Sequence, residues 1–265
     1  MRAMALRWDI EDGRVAVITL DEPDARNALT SDARSRLRAA LVALRDDPLV
    51  DVAVITGAEG NFCAGGDVRT MGESDPKAIA ARMADVAETA EMLAAFPKPV
   101  ICAVAGHAAG AGISLACLAD MVIAEESAKF TFSFLRLALG PDWGLSFTLA
   151  RRVGATIAKQ LILSAAAIDG NEAHRLGLAD VVTHDSEALH TALGTARALA
   201  GGPKAARAAV KAMLGDLDGL RAALAAEAEM QGDRFPHPEH QEAARAFREK
   251  RKADFTGRDF TENDD

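Results

Sequence analysis

The 265-residue chain lacks tyrosine altogether, has only three cysteines, and contains no uninterrupted apolar run of membrane-spanning length. The absence of tyrosine excludes a phenol as a catalytic acid. Three cysteines are too few, and odd in number, for a disulfide framework. A membrane-spanning helix needs about 20 consecutive apolar residues, and charges interrupt the N-terminal segment before a signal-peptide run can form. We therefore predict a cytoplasmic protein without a membrane partner.

Basic residues are also in deficit, with 30 lysines and arginines against 39 aspartates and glutamates. A net charge of −9 would repel a phosphate backbone, so we expect no nucleic-acid partner. An anionic ligand would need local basic side chains and backbone N–H donors. Hydrophobic residues make up 49% of the chain, which is ordinary for a globular protein with a substantial core.

Short β-branched segments alternate with helical patterns through the first two-thirds of the chain. Strands are predicted at residues 15–20, 52–56, 100–104, 121–124 and 129–134. Thr30 or Ser31 offers an N-cap for a first helix, and apolar residues at helical spacing predict a second helix over 76–96. This alternation predicts an α/β fold with mainly parallel strands.

The last third of the chain is predicted to be mostly helical, apart from a short strand at 179–182. Helices are predicted at residues 186–200, 203–214, 217–231 and 238–252. Such a region can cap the core or mediate oligomerisation. We divide the chain into a core of residues 1–200 and a C-terminal helical region of residues 201–265.

Two glycine-rich segments each follow a predicted strand. Residues 61–68 read Asn-Phe-Cys-Ala-Gly-Gly-Asp-Val, and small residues there let the backbone approach a ligand. Residues 103–114 lead from a strand through a glycine-rich turn into a helix N-terminus, where N–H groups without intrahelical partners favour negative charge. The spacing matches neither the dinucleotide fingerprint nor the P-loop, which disfavours a nucleotide site.

Together these segments resemble the crotonase family, also called the enoyl-CoA hydratase/isomerase superfamily. The motifs that carry the resemblance are Asp21–Leu29, Phe62–Asp67, Pro97–Val100, Gly106–Gly112, Phe247–Arg251 and Phe255–Arg258. The resemblance implies a spiral of ββα units with a helical C-terminal trimerisation region. It also implies an acyl-CoA thioester as substrate, no permanently bound cofactor, and a homotrimer or a dimer of trimers.

The same resemblance implies which positions contact the substrate. Two backbone N–H groups hold the thioester oxygen as it becomes an enolate, and these positions fall on Gly66 and Ala111. Positions implied for contact with the acyl group or CoA are Arg26, Ala28, Ala64, Gly65, Asp67, Val68, Ser114, Phe134, Lys252 and Phe255. Candidate partners for the CoA phosphates are Arg26, Arg69, Lys252 and Arg258. From its place in the loop alone, Asp67 is an N-cap or a loop brace. Phe255 is expected near a neighbouring subunit's ligand.

The sequence departs from the family's hydratases at both positions of their paired glutamates. Ser114 stands at the first position and Phe134 at the second, and neither is a general base at neutral pH. Water addition by two carboxylates is therefore disfavoured.

Asp142 is the remaining candidate acid–base group. On its spacing alone it is a helix N-cap after Pro141. The resemblance implies a different role, because enoyl-CoA isomerases and the ring-epoxide isomerases of phenylacetate breakdown carry one Glu or Asp at this point. One carboxylate is enough to remove a proton from one carbon and return it to another, and apolar neighbours would raise its pKa.

We therefore predict an isomerase that uses Asp142, with two alternatives left open. One is a hydratase with altered acid–base groups, in which Ser114 positions a water molecule. The other is a non-catalytic CoA-binding member of the family. No metal site is expected, because His237 and His240 stand three residues apart with no third ligand in the pattern.

Overall fold

A computed structural model describes residues 5–256 of the chain. Its strands are β1 (Leu6–Glu11), β2 (Val15–Leu20), β3 (Val52–Gly57), β4 (Val100–Val104), β5 (His107–Ala109), β6 (Met121–Glu125), β7 (Lys129–Thr131), β8 (Ala167–Asp169) and β9 (Val181–Thr183). Its helices are α1 (Ser31–Asp46), α2 (Pro76–Ala94), α3 (Ala111–Leu118), α4 (Leu145–Val153), α5 (Ala155–Leu163), α6 (Gly170–Leu176), α7 (Ala188–Ala200), α8 (Lys204–Leu214), α9 (Leu217–Arg234) and α10 (Pro238–Arg248).

Six of the strands form one sheet in the order β1-β2-β3-β4-β6-β9. Only the edge pair β1–β2 is antiparallel, and the other neighbours run parallel. Strands β2, β3 and β4 are almost completely buried, as expected for parallel strands covered on both faces. The predicted α/β fold with a mainly parallel sheet is confirmed.

Helices cover this sheet with side chains of different sizes. The leucines Leu37, Leu41 and Leu44 of α1 belong to the large hydrophobic core. On α7 the buried positions are alanines at helical spacing, and they pack against Val52, Val54 and their neighbours in a separate cluster. Thr30 is the N-cap of α1, since its hydroxyl oxygen accepts a hydrogen bond of 3.1 Å from the N–H of Ala33.

A second, smaller sheet has the order β5-β7-β8 and stands next to the glycine-rich turns. The strand predicted at 129–134 is too long, because β7 ends at Thr131 and residues Phe134–Leu137 form a 3₁₀ turn. This turn moves Phe134 out of the sheet. Consequently, its ring is free to line a cavity rather than to pair in a ladder.

The C-terminal helices do not share one environment. Helix α9 packs along α2 and touches α4, and α10 packs on the Phe134–Leu137 turn. In contrast, α8 has no buried side chain, and Met213 and Leu214 are largely exposed. The division at residue 200 and the role of this region in trimerisation stay predictions. Among residues 5–256, no helix is both long and apolar enough for a bilayer crossing.

Candidate active site

The turn after β3, the start of α3, the Ser133–Asp142 segment and the C-terminal helices enclose a cavity of about 310 Å³. Sequence analysis singled out many residues of its lining. Those that line it are Ala64, Gly65, Gly66, Asp67, Ala111, Phe134 and Asp142. The structure therefore brings together residues that lie up to about 80 positions apart in the sequence.

Backbone hydrogen bonds bring the two glycine-rich turns into contact. The N–H of Cys63 donates to the carbonyl of His107, and the N–H of Ala109 donates to the carbonyl of Cys63, both at 2.9 Å. Gly65 then adopts a φ of +101°, and a Cβ there would lie 2.6 Å from the carbonyl oxygen of Ala109 and 3.5 Å from the nitrogen of Ala111. Only glycine fits this close approach.

Gly66 and Ala111 present backbone N–H groups on this side of the cavity. Within residues 5–256, neither N–H donates a hydrogen bond to another protein group. Ala111 is the first residue of α3, so its N–H has no partner inside the helix and lies at the positive end of the helix dipole. Two such donors can stabilise an oxyanion that develops between them. We call residues Ala64–Asp67 with Gly110–Ala111 the amide wall.

Asp142 lines the same cavity, and its interpretation as a helix N-cap is wrong. Helix α4 begins at Leu145, and the residue that precedes it is Gly144. The Oδ1 atom of Asp142 is enclosed and has no hydrogen-bond partner in the described part of the chain. Burial, together with the negative charge of Glu227, raises the pKa of Asp142 to about 7, and the charges of Arg82 and Arg34 limit the increase.

Two side chains of α9 hold the backbone on either side of Asp142. The carboxylate of Glu227 accepts hydrogen bonds from the N–H of Gly144 at 2.7 Å, and from the N–H and hydroxyl of Ser146 at 2.9 and 2.6 Å. The side-chain amide of Gln231 donates to the carbonyl of Gly140 at 2.9 Å. We call Gly140–Ser146 with these two side chains the carboxyl wall.

Sequence reasoning missed Glu227 and Gln231, although a signal was present. Leu220, Leu224, Glu227 and Gln231 recur at the spacing of one buried helix face, and all four are buried. Two polar residues in the apolar stripe of a predicted helix indicate hydrogen-bond partners elsewhere in the chain.

Arg82 of α2 is a third residue that sequence reasoning missed. Its guanidinium lines the cavity, donates to the hydroxyl of Thr70 at 2.5 Å and lies 5.2 Å from the centre of the Phe235 ring. A Cβ on Gly66 would be 3.2 Å from its Nη2 atom. Arg82 therefore places a positive charge between the amide wall and Asp142.

Asp67 forms an ion pair with Arg69. The Arg69 side chain donates to both oxygens of the Asp67 carboxylate, at 2.9 and 3.0 Å. Burial by itself raises the pKa of Asp67, but these hydrogen bonds and the charge of Arg69 lower it below its usual value. This geometry agrees with a loop brace rather than with a base.

Ser114 does not reach the cavity. It is fully buried, and its hydroxyl donates at 3.5 Å to the carbonyl of Gly110, the residue that precedes α3. The expectation that Ser114 contacts substrate or positions a water there is therefore not supported by its location. All eight residues of α3 are buried, and Ser114 lies on a face of the helix that does not line the cavity.

Of the other predicted contacts, Arg26, Ala28, Lys252 and Phe255 are not among the described residues that line the cavity. Arg26 is exposed, and its carbonyl accepts a hydrogen bond of 3.0 Å from the N–H of Ala64; Ala28 beside it is buried. Lys252 and Phe255 are exposed near the end of the described chain. Val68 begins a short 3₁₀ turn, and Arg258 lies outside the described residues.

Cys63 and His240 both have structural roles. Burial raises the pKa of Cys63 to about 12, so its thiol is a packing group at neutral pH. Both ring nitrogens of His240 are engaged: Nδ1 lies 2.7 Å from the carbonyl of Leu137, and Nε2 accepts the N–H of Gly72 at 3.3 Å.

An α/β fold in which two N–H donors and an enclosed carboxyl line one cavity is suited to an enzyme that stabilises an anion and transfers a proton. The family model described as enoyl-CoA hydratase/isomerase matches residues 11–258. The chain belongs to this family, and its resemblance to the crotonases is confirmed.

Relatives and solved structures of the family match over nearly their whole length. A protein of Rhodobacter capsulatus named "Probable enoyl-CoA hydratase" is 40% identical over 258 residues, which is 96% of this chain and 98% of the relative. The 2,3-dehydroadipyl-CoA hydratase of Escherichia coli is 36% identical over 92% and 96% of the two chains. The crystal structure of an enoyl-CoA hydratase from Mycobacterium avium subsp. paratuberculosis matches with a TM-score of 0.86 and 30% identity, over 96% of this chain and 99% of the other.

Proposed function

We propose that this protein isomerises the double bond of an enoyl-CoA thioester, with Asp142 as the only proton shuttle. The observation that carries the proposal is that Asp142 lines the same cavity as the amide wall. Its pKa of about 7 means that both protonation states are populated at neutral pH. A shuttle needs both states, because it must first accept a proton and then return it.

In the proposed reaction, ionised Asp142 removes a proton from the α-carbon of a β,γ-unsaturated thioester, or from the γ-carbon of its α,β-unsaturated isomer. The C–H electron pair becomes part of the π system, and the thioester oxygen gains the negative charge of a dienolate. The N–H groups of Gly66 and Ala111 hold this oxygen, and each contributes about 3 kcal/mol to the stability of the transition state. Protonated Asp142 then returns the proton to the α- or the γ-carbon, and no other reactant is consumed.

Hydration is the second candidate, and the printed names of the relatives favour it. In that reaction Asp142 would take a proton from water as its oxygen attacks the β-carbon, and would later protonate the α-carbon. The route through Ser114 has no support, since this hydroxyl does not line the cavity. A non-catalytic CoA-binding role would not need the enclosed carboxyl of Asp142, which has no hydrogen-bond partner for Oδ1 in the described part of the chain.

The experiment that separates these candidates uses the wild-type protein and a panel of enoyl-CoA thioesters in D₂O. Isomerisation predicts a product that has gained no water and in which deuterium replaces α- or γ-hydrogens. Hydration predicts a product heavier by one water molecule. Mass spectrometry distinguishes them in one measurement, and the absence of both exchange and addition across the panel would overturn the isomerase proposal.

CoA binding and assembly are further parts of the proposal. Arg26 and Lys252 are exposed cations outside the cavity, where they can meet the CoA phosphates. The exposed apolar side chains of α8 support a homotrimer or a dimer of trimers. Calorimetry with a thioester and its free acid tests the first part, and equal affinities would contradict it. Light scattering tests the second, and a stable monomer at micromolar concentration would contradict it.

A further inference from the structure

Glu227 is a buried carboxylate that forms no ion pair with any other residue in the described part of the chain. Its side chain is only slightly accessible, at 3% for the residue. Within residues 5–256, no lysine, arginine or histidine nitrogen lies within 4.0 Å of its carboxylate. A buried charge ordinarily needs a partner or several hydrogen bonds. Here the partners are the N–H of Gly144 and the N–H and hydroxyl of Ser146.

The bonds of Glu227 explain the start of α4, but they also fix the backbone next to Asp142. Gly144 precedes α4 and has no side chain to cap it, so Glu227 supplies the missing acceptor from another helix. One helical turn further along α9, Gln231 holds the carbonyl of Gly140 at 2.9 Å. Asp142 therefore sits between two fixed points, two residues from each.

The side chains around Asp142 differ in charge. Arg82 of α2 and Arg34 of α1 act on it with positive charge, and Glu227 of α9 acts with negative charge. Arg34 is occupied by an ion pair with Asp85 and by the carbonyl of Leu29. Glu227 is thus the negative group that faces Asp142 from the helix that also holds its loop.

We propose that Glu227 is a positioning residue for Asp142, which holds the Gly140–Ser146 loop so that the Asp142 carboxyl faces the amide wall, and whose charge keeps that carboxyl protonatable. The proposal rests on the proposed function, in which Asp142 moves the proton. Loss of the Glu227 charge makes ionised Asp142 easier to form and a weaker base. Loss of its hydrogen bonds frees the loop.

The test is the variant Glu227→Gln, which keeps the shape and one acceptor oxygen but removes the charge. We expect the limb of the kcat–pH profile that reports Asp142 to move to lower pH, and kcat at its optimum to fall about tenfold or more through loss of loop geometry. Glu229→Gln is the matched control, because it removes the same charge from an exposed position of the same helix and should leave the profile unchanged.

A purely structural role gives a different result. If Glu227 only caps α4, Glu227→Gln lowers the melting temperature but leaves the kcat–pH limb in place, and the proposal is overturned. If that variant does not fold, Glu227→Asp, which keeps the charge on a shorter side chain, must retain the wild-type pH limb with a reduced kcat; a shifted limb would contradict the proposal.

A readout that does not depend on turnover separates this proposal from the proposed function. Carboxyl titration of aspartate-labelled protein by NMR reports the ionisation of Asp142 directly, with Asp142→Asn to assign the signal. A lower pKa of Asp142 in Glu227→Gln than in the wild type supports the role of Glu227, even if no enoyl-CoA exchanges protons. An unchanged titration overturns it, whatever the activity.

Discussion

The amide wall and the carboxyl wall face the same cavity but are made from different parts of the chain. The amide wall consists of backbone, and strand ladders and turns fix its geometry. The carboxyl wall depends on polar side chains from distant parts of the chain, of which Asp142 and Glu227 lie 85 positions apart. A rigid pair of N–H donors therefore needs only small residues and a fixed register. In contrast, a carboxyl with a shifted pKa needs charged side chains from several helices.

The first prediction breaks the carboxyl wall at its centre. Asp142→Asn keeps the size of the side chain but removes the group that accepts a proton. We expect α/γ-proton exchange to fall by about 10²–10⁴-fold, as is typical when a general base is lost. Deuterium uptake into an enoyl-CoA, followed by mass spectrometry, measures it. Ser114→Ala is the control and should change exchange little, because Ser114 does not line the cavity. Undiminished exchange in Asp142→Asn would remove Asp142 from the mechanism.

The second prediction breaks the amide wall. Gly65→Ala places a Cβ 2.6 Å from the carbonyl oxygen of Ala109 at a φ of +101°. Because this distance is too short, the turn must move, and the N–H groups of Gly66 and Ala111 change their positions in the cavity. We expect kcat to fall by about 10²-fold or more, comparable to the loss of one oxyanion donor. Gly60→Ala is the matched control, with a φ of +68° but nothing within 4 Å of the new Cβ. Equal activity in the two variants would mean that the close approach at Gly65 is unimportant.

These two walls also differ in how far the sequence predicts them. The glycines of residues 61–68 and 103–114 follow predicted strands, which indicates a close backbone approach to a ligand. The pairing of the N–H groups of Gly66 and Ala111 is implied by the family resemblance. In contrast, Arg82, Glu227 and Gln231 belong to helices whose pattern predicts only an apolar face. Their role depends on how α2 and α9 pack against the Asp142 loop, and this packing has no local signature. For the same reason Asp142 resembled an N-cap until the start of α4 was known.

The third prediction concerns the electrostatics of the carboxyl wall. Arg82→Met removes a positive charge that favours the ionised form of Asp142. We expect the pKa of Asp142 to increase, which moves the pH limb of kcat to higher pH, opposite to the direction expected for Glu227→Gln. The pH profile of exchange measures it, and Arg136→Met, at an exposed position of the same cavity lining, is the control. A shift to lower pH would contradict the assigned sign.

The last prediction concerns stability. Ionisation of Asp142 in the carboxyl wall should lower the free energy of unfolding, whereas the amide wall has no comparable contribution. Burial raises the pKa of Asp142 from 3.8 to about 7 in the folded protein, so the native state holds a proton that the unfolded chain has already lost between these pH values. Stability from this group is therefore fully present below about pH 4 and is lost as the pH rises through 7.

Asp142→Asn, which is never charged, should gain melting temperature relative to wild type at pH 8, and the difference should shrink as the pH falls below 7. Thermal unfolding of both proteins across this range measures the effect, and Asp67→Asn serves as the opposite case because Arg69 lowers the pKa of Asp67. A difference between Asp142→Asn and wild type that stays constant with pH would show that the carboxyl of Asp142 does not titrate in this range. The proton shuttle would then lose its physical basis, even if the amide wall remained intact.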